Sequence, residues 1–161
     1  MGCSVKKAEQ VVNILKEKKI HISTAESCTG GMIAASIVDI SGASDVFEEG
    51  YVTYSNRVKS KLLDVKEETI EKYTVVSSEV AKEMASGVAK ASSAEITVSV
   101  TGYAGPYDAD DGTPAGTVYI GTFYRGISDA KHYKFDGDRQ SVRKQAVIQA
   151  FDDVLERLRE D

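Results

Sequence analysis

The chain of 161 residues contains no tryptophan, two prolines, two cysteines and two histidines. Cys3 and Cys28 are too few for the disulfide framework of a small secreted domain, so a reducing compartment is expected. His21 and His132 complete no cluster at metal-ligand spacing, and we expect neither a metal nor another cofactor. No apolar run reaches the roughly 20 residues of a membrane span, and no signal-peptide core follows the first residues. These absences predict a cytoplasmic protein without a membrane partner.

A basic excess is also missing. Aspartate and glutamate number 25 against 20 lysines and arginines, for a net charge of −5. Proteins that bind a phosphate backbone need positive charge, so no nucleic-acid partner is expected. The hydrophobic content of 42% over this length predicts one domain, residues 1–161, with a sizeable core.

Apolar residues spaced three and four apart predict several amphipathic helices. The first is expected to start at Ser4 as its N-cap, and another to follow Ser77 as its cap. The remaining helices are predicted over residues 30–40, over residues 57–63 and from about Asp138 to near the end of the chain.

Extended segments alternate with these helices. β-Branched and aromatic residues predict strands over residues 19–23, 50–56, 95–101, 117–124 and 131–135. The last two are expected to form a hairpin through Arg125 and Gly126. Residues 103–116, with both prolines, predict a loop. The alternation predicts an α/β fold, a three-layer α/β/α domain whose sheet is mixed because its last strands are adjacent.

The stretch TAESCTGGM, residues 24–32, joins a predicted strand to a predicted helix. A helix start there would leave the backbone N–H groups of Cys28, Thr29 and Gly30 free above Ser27. Such groups can cap the helix, hold a phosphate, or act as an oxyanion hole for an acyl-transfer reaction. Met32 follows Gly31 where a phosphate-binding P-loop has lysine, and no dinucleotide glycine spacing occurs. The motif alone does not choose between a cap and an oxyanion hole.

The partners available to a nucleophile are few. Both histidines lie in extended contexts, which gives little support to a Ser-His-Asp triad. The segment YSNRVK places Tyr54 at the end of a predicted strand and Lys59 one helical turn beyond it. Both side chains could face one cleft, although a surface lysine is the commoner finding.

Six blocks of the sequence together resemble the C-terminal domain of the CinA (competence/damage-inducible) family. They are TAESCTGG, GYVTYSNRVKSKLLDV, VSSEVAKEMASGVAKASSAE, VTGYAGP, TPAGTVYIG and GDRQSVRKQA, and they follow the family's order and approximate spacing across nearly the whole chain. Characterised members include nicotinamide mononucleotide deamidase. The nucleotide pyrophosphatase-type N-terminal domain of longer members has no counterpart among these residues, so the stand-alone amidase form is expected.

The resemblance implies hydrolysis of a nicotinamide carboxamide to the acid, with release of ammonia and with Ser27 as nucleophile. Lys59 is then the base, which requires a lowered pKa, and Tyr54 positions Ser27 or relays its proton. The N–H groups of Cys28, Thr29 and Gly30 stabilise the oxyanion. Glu26 is expected to contact the substrate, without an assigned catalytic role.

The implied substrate is a small pyridine nucleotide with a ribose and a phosphate. Arg139 offers a planar fork for the phosphate, and Arg143, one helical turn later, is a weaker candidate. Further residues are expected to line the substrate pocket: Gly31, Thr101, Gly102, Ala104 and Gly105. A homo-oligomer is also expected.

Two alternatives stay open at this point. The loop AGPYDADDG departs from the family's glycine-rich AGPDGG continuation, which is compatible with a catalytically silent nucleotide-binding or regulatory module of the same fold. Its acids, among them Asp108, Asp110 and Asp111, could bind a hard cation or repel a phosphate. The second alternative is a cysteine hydrolase that uses Cys28, disfavoured because the next residue on a turn should point away from the cleft of Ser27.

Overall fold

The computed structural model describes residues 2–160. Its helices and strands alternate for most of the chain and then end with a hairpin and a long helix. In chain order the elements are α1 (Cys3–Lys18), β1 (Ile22–Glu26), α2 (Met32–Val38), β2 (Phe47–Val52), α3 (Asn56–Leu63), α4 (Glu67–Tyr73), α5 (Ser78–Ser92), β3 (Ile96–Gly102), β4 (Thr117–Tyr124), β5 (Ile127–Lys134) and α6 (Arg139–Leu158), with a short 3-10 helix at Ala43–Asp45.

The five strands form one mixed sheet in the order β2-β1-β3-β4-β5. Strand β1 is parallel to β2 and to β3, whereas β3, β4 and β5 are antiparallel neighbours. The larger apolar cluster joins the sheet to α1, α2 and α6, and a smaller one joins it to α3 and α5. The predicted three-layer α/β/α architecture with a mixed sheet is confirmed.

Strand β3 is buried on both faces. Ile96, Val98 and Val100 belong to the larger apolar cluster. On the opposite face the hydroxyl of Thr97 donates to the carbonyl of Ala85 at 2.7 Å, and that of Ser99 donates to the carbonyl of Ala81 at 2.6 Å. The alternation in this strand therefore separates an apolar helix layer from α5, whose buried carbonyls accept from β3 hydroxyls.

The hairpin and several helices agree with their sequence signals. Arg125 and Gly126 both have positive φ, 53° and 79°, as the favoured two-residue turn requires. Ser77 caps α5, since its side chain accepts from the N–H of Val80 at 3.3 Å. Asp138 likewise caps α6. The predicted hairpin, the Ser77 cap and the start of the last helix near Asp138 are confirmed.

Other boundaries differ. Gly2 rather than Ser4 precedes α1, and Gly31 precedes α2, so residues 28–31 form a turn outside the helix. Strand β1 starts at Ile22 because Lys19 takes a left-handed conformation that ends α1. Strand β2 runs from Phe47 to Val52 because pairing with β1 begins earlier in sequence. Helix α4 was missed, and it carries no fully buried residue that would mark an apolar stripe.

The parallel arrangement of β2, β1 and β3 brings three strand ends to one edge of the sheet. Glu26 at the end of β1 pairs with Val52 near the end of β2 and with Val100 near the end of β3. Ligand sites of α/β sheets lie at this carboxyl edge. No helix within residues 2–160 is long and apolar enough to cross a membrane.

Candidate active site

A cleft of about 280 Å³ opens at the carboxyl edge of β1, β2 and β3. Its walls come from the turn after β1, the start of α3, the segment before α5, the loop after β3 and the first residue of α6. The residues that line it are Ser27, Cys28, Tyr54, Asn56, Lys59, Val75, Val76, Thr101, Gly102, Tyr103, Ala104, Gly105, Tyr107, Asp108, Ala109 and Arg139.

Ser27 and Lys59 meet on one wall of this cleft. The Lys59 ammonium donates to the Ser27 hydroxyl over 3.1 Å between Nζ and Oγ. Helix α3 places the lysine because the Ser55 side chain accepts from the N–H of Val58 and so starts the helix one turn before Lys59. The Lys59 residue is only 1% exposed. Burial lowers the pKa of Lys59 from 10.5 to about 8.

Two backbone carbonyls complete the surroundings of the lysine nitrogen. Nζ lies 2.7 Å from the carbonyl oxygen of Thr53 and 3.3 Å from that of Tyr54. A protonated amine has three N–H bonds, which match these carbonyls and the Ser27 oxygen. A neutral amine keeps two N–H bonds for the carbonyls and turns its lone pair to Ser27. The same three hydrogen-bond partners thus suit a lysine that takes a proton from the Ser27 hydroxyl.

The turn after β1 presents fewer free donors than its sequence predicts. The N–H of Gly30 donates to the carbonyl of Ser27 at 3.1 Å and is not available to a ligand. Thr29 is fully enclosed, at 0% exposure, and does not line the cleft. Cys28 lines the cleft, and no described residue accepts from its backbone N–H. Of the three residues whose N–H groups are predicted to be oxyanion donors, only Cys28 therefore both lines the cleft and has a backbone N–H that no other described residue accepts.

Glu26 lies beneath this turn and faces away from the cleft. Its carboxylate accepts the N–H of Ile33 at 2.8 Å and that of Ala34 at 3.1 Å, and the residue is 1% exposed. It therefore binds the first turn of α2, where a carboxylate is favourable. The expectation that Glu26 contacts substrate does not agree with this position, and neither Glu26 nor Gly31 lines the cleft.

Arg139 and Tyr54 face each other at the mouth of the cleft. The Arg139 guanidinium donates to the carbonyl of Gly105 at 2.7 Å and to the Tyr54 hydroxyl at 3.2 Å. Five N–H bonds are available on a guanidinium, so three remain for a ligand. The Tyr54 side chain is 63% exposed, and its hydroxyl contacts Arg139 rather than Ser27 or Lys59.

Arg143 has a different position from the one expected of a phosphate ligand. Its Nε donates to the carbonyl of Cys28 at 2.9 Å and its Nη2 to that of Thr29 at 3.2 Å. The residue does not line the cleft. Arg139 and Arg143 are one helical turn apart on α6, yet only Arg139 reaches the cleft.

The thiol of Cys28 is poorly suited to act as a nucleophile. The residue is 6% exposed, and burial raises the pKa of its thiol to about 11. Reactive cysteines instead have lowered pKa values, because the thiolate is the attacking form. The burial and the raised pKa of Cys28 therefore argue against a cysteine hydrolase that uses this thiol.

In the loop of residues 103–116, two carboxylates accept hydrogen bonds from the backbone of the same loop. Asp108 accepts the N–H of Ala115 at 2.8 Å, and Asp111 accepts that of Thr113 at 2.9 Å. Across residues 2–160, no three His, Cys, Asp or Glu residues come together in a way that could hold a metal ion. These bonds give the two carboxylates a structural role in the loop.

Comparison with known proteins bears on the whole chain. The family model described as the CinA C-terminal domain matches residues 4–158. This chain belongs to the CinA family. A CinA-like protein of Kosmotoga olearia is 47% identical over 146 residues, which are 91% of this chain and 35% of that protein. The chain spans about a third of the length of the curated CinA relatives it matches.

Solved CinA structures share the fold over almost their full length. Competence damage-inducible protein A of Klebsiella pneumoniae is 35% identical, with a TM-score of 0.95 and 98% of both chains covered. The competence/damage inducible protein CihA of Agrobacterium tumefaciens is 34% identical, with a TM-score of 0.92, and covers 97% of this chain and 96% of its own. Both are similar to this chain in the arrangement of helices and sheet.

Five of the six CinA-like sequence blocks contribute residues to the cleft, and TPAGTVYIG is the block that does not. Of the residues chosen from sequence, Ser27, Lys59, Tyr54, Cys28 and Arg139 line it, together with Thr101, Gly102, Ala104 and Gly105. Several lining residues were not assigned to the site from sequence: Asn56, Val75, Val76, Tyr103, Tyr107 and Ala109. The loop composition gave a signal for Tyr103, Tyr107 and Ala109. Val75 and Val76 gave none, because they precede α5 and resemble ordinary core residues.

Proposed function

We propose that this CinA protein hydrolyses the carboxamide of nicotinamide mononucleotide to nicotinate mononucleotide and ammonia. The observation that carries the proposal is a buried lysine with a lowered pKa, 3.1 Å from a serine hydroxyl in a cleft at the carboxyl edge of the sheet. A serine beside a base is the arrangement that nucleophilic acyl transfer needs. The choice of a pyridine nucleotide rests on the resemblance to characterised CinA amidases.

The first step is attack of the Ser27 oxygen on the amide carbon. Neutral Lys59 takes the hydroxyl proton while its two N–H bonds stay on the carbonyls of Thr53 and Tyr54. The amide oxygen becomes an anion, and the backbone N–H of Cys28 donates to it. Lys59 then returns the proton to the departing nitrogen, which leaves as ammonia and yields a nicotinoyl ester on Ser27.

Water completes the cycle. Lys59, neutral again, accepts a proton from water as the water oxygen attacks the ester carbon. The bond to Ser27 breaks, the proton returns to the serine oxygen, and the acid is released. One amide and one water thus give one acid and one ammonia, without a redox cofactor.

Arg139 supports the nucleotide part of the proposal. Its three unused N–H bonds lie at the mouth of the cleft, where a phosphate could bind while the ring reaches inward to Ser27. Tyr54 holds the guanidinium in place through its hydroxyl. We therefore propose a role for Tyr54 in phosphate recognition in addition to its position beside Lys59.

The test measures ammonia released from nicotinamide mononucleotide by the wild type, by Ser27→Ala and by Cys28→Ala. We expect no turnover in Ser27→Ala and near-normal turnover in Cys28→Ala, because only the backbone of Cys28 takes part. Full activity in Ser27→Ala would falsify the mechanism. An inactive wild type that binds the nucleotide tightly would instead support the silent binding module.

A further inference from the structure

We infer that Arg143 is a positioning residue for the oxyanion donor of the turn, and that it acts on the transition state rather than on substrate binding. This inference rests on the proposed amidase function. The geometry of two neighbouring peptide groups carries it.

A trans peptide group has its carbonyl and its N–H on opposite sides, so a bond that fixes one also aims the other. The N–H of Cys28 shares a peptide group with the carbonyl of Ser27, which accepts from Gly30. The carbonyl of Cys28 belongs to the next group and accepts from Arg143 Nε at 2.9 Å. The Gly30 bond thus fixes the peptide group that carries the Cys28 N–H, and Arg143 fixes the next group, so that Arg143 acts on this N–H by limiting rotation of the backbone at Cys28.

The turn needs such an external support because its own backbone is permissive. Gly30 and Gly31 both have positive φ, 58° and 101°, and neither belongs to α2. Glycine adopts many conformations at little cost, so the turn has little stiffness of its own. Arg143 reaches it from α6 with two donors, to Cys28 and to Thr29. The 20-residue helix α6 thereby fixes a segment that its sequence would leave loose.

The charge of Arg143 acts in the same direction. Although burial raises the pKa of the Cys28 thiol, the guanidinium charges of Arg143 and Arg139 partly oppose that rise. The field of these arginines at the turn therefore favours a negative atom there. An amide oxygen that becomes an anion beside the Cys28 N–H would experience the same field.

Arg139 and Arg143 are therefore expected to affect different kinetic constants. Arg139 contacts the mouth of the cleft and is expected to govern the affinity for the nucleotide. Arg143 does not line the cleft, so its loss should leave ground-state binding nearly intact. Its effect should appear in kcat and in the affinity for a tetrahedral anion on Ser27.

The test uses Arg143→Gln, Arg143→Lys and, as a matched charge control on the exposed side of α6, Lys144→Gln. Removal of one oxyanion donor costs about 10²–10³ in kcat, and a misdirected donor should cost less, so we expect about a tenfold or greater fall in Arg143→Gln with little change in KM. Arg143→Lys should recover part of it, since a lysine can reach one of the two carbonyls. Lys144→Gln should behave as wild type.

A second measurement does not require turnover of nicotinamide mononucleotide. Pyridine-3-boronic acid forms a tetrahedral anionic adduct with an active serine, and boron NMR detects that adduct. Its affinity should weaken in Arg143→Gln by about the same factor as kcat, while the affinity for nicotinate mononucleotide stays unchanged. A purely structural role would lower the fraction of active protein, counted by Ser27 acylation, without changing the boronate affinity of the rest.

Unchanged boronate affinity in folded Arg143→Gln would overturn the inference. So would a rise in KM with unchanged kcat, because it would make Arg143 a ligand for the ground state. If Arg143→Gln does not fold, the same comparison in Arg143→Lys decides. If wild type forms the boronate adduct but releases no ammonia from nicotinamide mononucleotide, the proposed substrate fails while the inference about Arg143 is still judged by the adduct.

Discussion

The two walls of the cleft are built in different ways. One, the turn wall, consists of Ser27, Cys28 and Lys59 with the rest of the turn, residues 29–31, behind them. Its bonds come from distant parts of the chain, such as Ser27 N–H to Val100 and Arg143 to Cys28. The other, the loop wall, consists of residues 103–116 and is held largely by its own bonds, such as Ala109 N–H to Thr113 and Ala115 N–H to Asp108.

For the proposed amidase, this difference would place catalysis and substrate choice on different walls. The reacting groups need fixed positions, and in the turn wall Ser27 and Lys59 are buried and held by bonds to distant residues. A loop that bonds mainly to itself can change sequence without disturbing the strands beneath it. The chemistry is therefore expected to depend on the turn wall and the choice of substrate on the loop wall.

The largest effect should come from removing the base of the turn wall. We expect Lys59→Met to lower kcat by about 10²–10⁴, the usual contribution of general acid–base catalysis. Lys61→Met on the same helix is the matched control, since Lys61 is exposed and does not line the cleft. Steady-state ammonia release measures both. Equal activity in the two variants would remove Lys59 from the mechanism.

The pH dependence should follow the same lysine. Because Lys59 must be neutral to act as base and its pKa is lowered to about 8, kcat should rise with pH and level off above that value. One pH unit below the inflection, about a tenth of the maximal rate is expected. A rate that is flat between pH 6 and pH 9 would contradict this assignment.

The lowered pKa of Lys59 should also make the free energy of unfolding depend on pH. The folded protein binds the Lys59 proton less tightly than the unfolded chain, whose lysine keeps the ordinary value of 10.5. Between about pH 8 and pH 10.5 the unfolded state holds more protons, so Lys59 should make the free energy of unfolding rise with pH in that window. Urea unfolding of wild type and Lys59→Met isolates this contribution by difference.

The smallest effects compare a carboxylate beneath the turn wall with one in the loop wall. Glu26 supports the turn wall from beneath, and Glu26→Gln should cost about 1–3 kcal/mol, since one backbone N–H of α2 loses its acceptor. Asp108→Asn in the loop wall keeps an oxygen for Ala115 at an exposed site, and its cost should stay within about 0.5 kcal/mol. Thermal and urea unfolding measure both, and similar costs would erase the proposed difference between the walls.

Much of the fold could be predicted because its signals are local. The apolar stripe of α5, with Val80, Met84 and Val88, and the hairpin turn at Arg125 and Gly126 each follow from a few neighbouring residues. Helix α4 could not be predicted in this way, because it buries no side chain fully. Strand β2 starts three residues before its predicted position, since its first residues are set by pairing with β1 rather than by their own composition.

The site was predicted in part for the same reason. Ser27, Lys59 and Arg139 occur in sequence blocks that resemble CinA, and the structure brings them to one cleft. The partners of Glu26 and Arg143 could not be predicted, because a carboxylate or guanidinium can bond to a backbone group anywhere in the fold. The use of the Gly30 N–H inside its own turn depended on the conformation of two glycines, which sequence does not specify.

The antiparallel half of the sheet has a practical consequence for engineering. Strand β4 starts beside the cleft, where Val118 pairs with Gly102, and ends where Tyr124 pairs with Ile96 at the other edge. The turn at Arg125 and Gly126 therefore projects from the side of the domain remote from Ser27. A fluorophore, an affinity handle or an inserted peptide placed there would leave the mouth of the cleft unobstructed, so the protein could be immobilised with every cleft facing the solution.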